Sequence, residues 1–169
     1  MLKFLIESVV LCILFTAAIL SQMGKPLGTI LYSYPPQIVD RVIELGLVED
    51  KDRRTPSQVK AIKKKWPAVI FLGILIGVIV YFVNGARSFS DGFLVSYGLW
   101  LVVNWYDAFI LDIGWFCHSK KVIIPGTEDM VDAYKDYWFH IKGSLVGMVL
   151  GLPACLMAGV FCQIVGRKI

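Results

Sequence analysis

The chain has 169 residues, 57% of them hydrophobic and 18% charged, with a net charge of +4 and a mean hydropathy of +0.67. Ordinary soluble domains carry about 45–50% apolar and about 25% charged residues, so this composition excludes a disordered chain and argues against an ordinary soluble enzyme. The apolar residues collect in four runs and the charges between them, the distribution expected of an all-α, multi-pass membrane protein.

The first run, residues 2–20, is about as long as a helix needs to cross a bilayer. Glu7 interrupts it, and its length is at the upper edge for a signal core, so it reads as a retained span rather than a secretory signal. Glu7 is expected to pair with Arg87 near the same end of the bundle.

Residues 21–65 form a long loop with its own structure. Pro35-Pro36 followed by Ile38, Val39, Val42, Ile43 and Leu45 predicts a short amphipathic helix opened by proline, and Gly46 predicts its end. Thr55-Pro56 predicts the start of a second helix. Lys63, Lys64 and Lys65 stand directly before the second run, where basic residues anchor a helix end to anionic lipid headgroups. With no interleaved aromatics and no known motif, the basic charge does not point to nucleic acid.

The second run, 66–83, contains Gly73-x-x-x-Gly77, a signature of close helix packing. The third, 93–117, carries the strongest functional signal. An acid inside a bilayer costs about 2.5–3.5 kcal/mol on insertion scales and is normally paired or functional, and this run holds Asn104, Asp107 and Asp112. At about 100° per residue, Ser96, Tyr97, Trp100, Asn104, Asp107, Leu111, Trp115 and His118 share one polar-aromatic stripe. Asp112 falls well off it, towards the headgroups. The stripe has three readings. It is interhelical glue, or a ligand site built from Trp100, Asn104, Asp107, Trp115 and His118, or a catalytic site with Asp107 and His118 as acid-base groups.

Residues 118–143 form the second loop. Thr127 predicts a helix N-cap, with Glu128 and Asp129 in the first turn where the helix dipole favours acids. On one continuous helix Met130, Val131, Tyr134, Tyr137, Trp138 and Ile141 form an apolar, interfacial face. Asp132, Asp136 and His140 then stand at i, i+4 and i+8 on the other face, a candidate for part of a divalent metal site. A solvated acidic face is the simpler reading, because residues spread over about two turns need other elements to complete a coordination sphere.

The fourth run, 144–165, continues a small-residue groove of Gly143, Gly147, Gly151, Cys155 and Gly159, with Pro153 inside it. Such a groove packs helices within one bundle or between copies, so a homo-oligomer through Gly73, Gly77, Gly147 and Gly151 is one expectation. The four cysteines form no C-x-x-C and predict no disulfide. Of seventeen basic residues, only Lys3, Arg87, Arg167 and Lys168 fall on the side of the termini. By the positive-inside rule both large loops are cytoplasmic and both termini outside, in a cell membrane.

The sequence therefore predicts a single membrane domain over 1–169: four transmembrane helices with amphipathic interfacial helices in two cytoplasmic loops. Its expected function is non-catalytic binding of a small ligand, lipid or partner through the third-run stripe and the loops. The alternative is an integral membrane enzyme on a lipid-like substrate, using Asp/His acid-base or metal-assisted chemistry.

Overall fold

Every regular element among the residues that the computed structural model describes, 2–23, 25–50 and 66–167, is helical. The elements are α1 (Leu2–Leu20), α2 (Leu27–Ile30), α3 (Pro36–Glu44), α4 (Trp66–Ile79), α5 (Phe89–Tyr106), α6 (Val131–Tyr134) and α7 (Tyr137–Gly166). Two of them change winding at one end: α4 continues as a π turn over Val80–Asn84, and α5 as a longer π segment over Asp107–Trp115. Leu2–Leu20, Phe89–His118 and Tyr137–Gly166 are each long and apolar enough to cross a membrane, which is consistent with a membrane location. Val69–Asn84 is a shorter apolar helix. The helix expected after Thr55-Pro56 and the run Lys63, Lys64, Lys65 lie outside the described residues.

Two helix starts differ from the sequence reading, and capping explains both. α5 begins at Phe89 rather than 93, because the Ser88 hydroxyl accepts from the Asp91 N–H at 3.1 Å. α7 begins at Tyr137 rather than 144, because the Asp136 carboxylate accepts from the Phe139 N–H at 3.0 Å. A short acid satisfies exposed N–H groups better at a helix start than in a helix interior. The continuous helix expected from Thr127 through Ile141 is consequently broken at Lys135–Asp136, and Tyr137–Ile141 belongs to the long α7.

The long helices pack in the order α1, α5, α7, α4. Their seams rest on glycine. A Cβ at Gly73 would meet Met157 Cβ at 2.5 Å, and one at Gly77 would meet Phe161 Cβ at 2.9 Å, so α4 fits α7 only with hydrogen there. Gly147 and Gly151 of α7 are notches filled by Asn104 and Trp100 of α5. The four glycines expected to join two copies are thus all occupied from within the chain. α1 is fixed to α5 by a 2.9 Å hydrogen bond between the Thr16 and Tyr106 hydroxyls.

At the far end, Asn84 Nδ2 donates to Glu7 Oε2 at 2.7 Å, and Lys3 Nζ donates to the Val83 carbonyl at 3.3 Å. The expected Glu7–Arg87 pair is replaced. Arg87 instead donates to the Tyr81 and Ala86 carbonyls at 2.7 and 3.2 Å, with its guanidinium 3.7 Å over the Tyr81 ring. The π turn and the left-handed Gly85 (φ +77°) leave these carbonyls open to a side-chain donor.

The two loops, read separately in the sequence, share one core. Leu31, Tyr34, Ile38, Val39 and Val42 of the first pack with Phe116, Val122, Ile124 and Tyr134 of the second. α3 forms as expected, with proline in its first turn and Gly46 (φ +69°) as its C-terminal stop. Tyr134, expected on an interfacial face, is buried here. Its hydroxyl accepts the Ile124 N–H at 2.9 Å and meets the Thr127 hydroxyl at 2.7 Å. The Tyr34 hydroxyl donates to the Val122 carbonyl at 3.1 Å, tying loop to loop.

Three substitutions test this packing. Gly151→Leu drives a side chain into Trp100 and is expected to cost about 1–3 kcal/mol in detergent-solubilised thermal unfolding. Gly143→Ala, which meets nothing within 4 Å, is expected to leave stability unchanged or slightly raised. In the cap, burial first and the neighbouring Tyr134 second push Tyr34 up to about 12. Its contribution is therefore complete below about pH 10, the unfolded value, and lost as pH rises towards 12. Tyr34→Phe is expected to cost about 1 kcal/mol at neutral pH, and to flatten that alkaline decline in an unfolding series against pH.

Candidate functional site

The polar-aromatic stripe of α5 divides into two halves with different partners. In the first half Ser96 donates to the Phe93 carbonyl of its own helix at 3.0 Å, and the other three polar groups are each bound to an α7 carbonyl. Tyr97 Oη donates to Met148 at 3.3 Å, Trp100 Nε1 to Gly147 at 3.0 Å, and Asn104 Nδ2 to Ser144 at 3.0 Å. Donors from α5 reach the α7 backbone because glycine removes the side chains that would cover it. The glue reading holds for this half, and Trp100 is committed to it.

Beyond Asn104 the stripe meets open space. α1 and α7 both lean on α5, and between them a cleft of about 1110 Å³ runs towards the loops, roofed by Leu31, Tyr34 and Val39 of the cap. Phe15 and Ile19 of α1 form one wall, and Phe139, Val146 and Leu150 of α7 the other. Asn104, Asp107, Leu111, Asp112 and Trp115 of α5 line its floor, with His140 and Ser144 beside them. Lys121 and Lys142 stand exposed at its edge.

The π winding places both acids on this floor. In an α-helix, residues five apart point about 140° away from each other at 3.6 residues per turn. A π turn closes its hydrogen bonds at i→i+5, so residues five apart return to nearly the same side. The segment Asp107–Trp115 winds this way and turns Asp112 into the cleft with Asp107. This corrects the expectation that Asp112 diverges from the stripe towards the headgroups.

Asp112 Oδ2 lies 3.0 Å from His140 Nδ1. The imidazole is almost wholly buried and Asp112 is 28% exposed, so the pair is partly desolvated and links the π segment to the first turn of α7. The Phe116 and Phe139 rings meet the imidazole edge-on at 5.4 and 5.2 Å and fix its orientation. His140 Nε2 is buried without a geometrically formed hydrogen bond, and the Cys117 thiol lies beside the ring. Asp107 makes no hydrogen bond or ion pair among the described residues.

Of the residues singled out in the sequence, Asn104, Asp107, Trp115 and His140 meet at this cleft. His118 does not: it is exposed on the far side, where Nε2 meets the Tyr137 hydroxyl at 3.3 Å. Asp132 pairs with Lys135 at 3.8 Å on the surface, and Asp136 is engaged as the α7 N-cap. The expected Asp132–Asp136–His140 row is dissolved by the break before α7. Among the described residues no three His, Cys, Asp or Glu side chains converge as a metal site. Sequence reasoning noted Asp112 as an acid in an apolar run but aimed it away from the site, the five-residue spacing from Asp107 being the signal for π winding, and it missed the α1 wall, which carries no polar marker.

No family model, no curated protein and no solved structure matches the chain.

The Asp112–His140 pair yields a stability prediction. Breaking a buried pair strands the surviving partner, so His140→Leu is expected to destabilise the protein by about 3 kcal/mol. Adding Asp112→Leu is expected to restore part of that loss. A double-mutant cycle in thermal unfolding checks it; additive losses would mean that the two side chains do not act as a pair.

Proposed function

We propose that this chain is a membrane protein of four spans whose cleft binds a membrane-borne amphiphile, without catalysing a reaction on it. In this reading α4, with its π turn, is the additional span. The loops over 21–65 and 118–143 face the cytoplasm, and both termini lie outside, as the distribution of basic residues favours. The cap of α2, α3 and α6 rests at the membrane surface above the cleft mouth.

One observation carries the binding reading: a large cleft with apolar walls has two carboxylates on its floor. Acids facing an apolar space are costly, and a bound head group that meets them offsets that cost. Ligand sites elsewhere combine mostly apolar walls with a few convergent polar groups in the same way. The walls of Phe15, Ile19, Val146 and Leu150 suit a hydrocarbon chain entering sideways between α1 and α7. The enzyme reading loses its named parts, since Asp107 and His118 do not share the cleft and the metal trio is dispersed.

A photoactivatable long-chain alcohol in phosphatidylcholine nanodiscs tests the proposal. Crosslinks are expected to concentrate on the peptides bearing Phe15, Ile19, Val146 and Leu150 and to fall with excess dodecanol. Leu111→Trp, which narrows the cleft floor, is expected to reduce them severalfold. Labelling spread evenly over exposed apolar positions such as Leu94 and Phe109, with no competition by dodecanol, would overturn the binding reading.

A further inference from the structure

The chemistry of the cleft floor selects a class of head group. The protein leaves acceptors unengaged there. Asp107 has no partner among the described residues, and Asp112 gives one oxygen to His140 and keeps the other. His140 holds Asp112 through Nδ1, and its Nε2 is buried beside Cys117, so the acceptors open to the cleft are those of Asp107 and Asp112. Asn104 gives an amide N–H to the Ser144 carbonyl, which directs its amide towards α7.

The charges point the same way. Two carboxylates and at most one imidazolium face the partly desolvated floor, where electrostatic interactions are strong. Lys121 and Lys142 are exposed at the edge, where water and salt screen them. An anionic head would meet carboxylates at depth, and the cationic side chains that line the cleft, Lys121 and Lys142, are solvated at its edge. A hydroxyl head brings a single donor, whereas a primary ammonium brings charge and three donors.

Resting on the amphiphile-binding reading above, we propose that the cleft takes a long-chain primary amine. Its ammonium sits between Asp107 and Asp112, and its hydrocarbon chain lies along Phe15, Ile19, Val146 and Leu150. The deepest lining residue of α7, Leu150, lies beyond the carboxylates on the side away from the loops. The chain therefore extends into the apolar part of the bundle while the ammonium stays nearer the loop end.

Thermal stabilisation of the protein in phosphatidylcholine nanodiscs, titrated with four amphiphiles of equal chain length, tests this. Dodecylamine is expected to bind most tightly, ahead of dodecanol, dodecanoate and dodecyltrimethylammonium. Asp107→Asn is expected to weaken dodecylamine about tenfold or more, the scale of a lost charge-assisted hydrogen bond. The same variant should weaken dodecanol, a neutral single donor, far less than dodecylamine, and its ligand-free unfolding temperature and helical circular dichroism verify that it folds. Tighter binding of dodecanoate, lost in Lys142→Ala, would overturn the amine assignment while leaving an amphiphile cleft in place. Equal binding of dodecyltrimethylammonium, which has no N–H to donate, would overturn it as well. Stabilisation by none of the four would overturn the amphiphile reading itself.

Discussion

The seam between α5 and α7 sets the position of everything else. Tyr97, Trp100 and Asn104 reach α7 carbonyls because Gly147 and Gly151 leave notches deep enough to admit the tryptophan and the amide. In a low-dielectric setting such hydrogen bonds hold two apolar helices in one register, where apolar contact alone would let them slide. The register fixes the levels at which Asp107 and His140 stand. It also fixes how far α7 extends towards the loops before Asp136 caps it. The cleft begins where the seam stops supplying partners.

A change of winding then converts a packing helix into a lining one. If α5 continued as an α-helix, Asp112 would point away from Asp107 and His140 would lack its carboxylate. The π segment turns Asp112 back onto the cleft side, and its 3.0 Å contact with His140 Nδ1 holds that winding against α7. A π segment loses the favourable α-helical geometry, so it persists where a tertiary interaction stabilises it, and such segments are frequent at functional sites. The pair and the winding support one another: the π turn delivers the acid, and the buried imidazole keeps it there.

Much of the architecture was legible in the sequence, and the failures have physical causes. Helical runs, the proline start and glycine stop of α3, and the stripe on α5 all follow from local periodicity and capping, which a sequence carries explicitly. The start of α7 was misplaced because Asp136 fits an acidic helix face and an N-cap equally well on paper. Only the backbone geometry at Lys135–Asp136 distinguishes the two. Asp112 was misplaced because a 100° step assumes α winding. The common core of the two loops was invisible because Tyr34, Phe116 and Tyr134 are far apart in the chain and each has an adequate local reading as an interfacial aromatic. The candidate site inherits these errors: its α5 members were found, and the partners brought by winding or by α1 were not.

The division of α5 also bears on why polar residues inside apolar helices resist a single interpretation. Asn104 and Asp107 are one turn apart on the same face, yet one closes a seam and the other faces open space. The amide can satisfy its own donor with a neighbouring backbone carbonyl, so it stabilises packing without a ligand. A carboxylate has only acceptors when ionised, and a helix backbone at mid-helix offers no free N–H to meet them. Lys121 and Lys142 stand at the solvated edge, and among the described residues no hydrogen bond or ion pair engages Asp107. An acceptor-only group in that position makes the nature of its partner a question of donors, and the number and charge of those donors distinguish an ammonium from every neutral or anionic head group that could enter the same cleft.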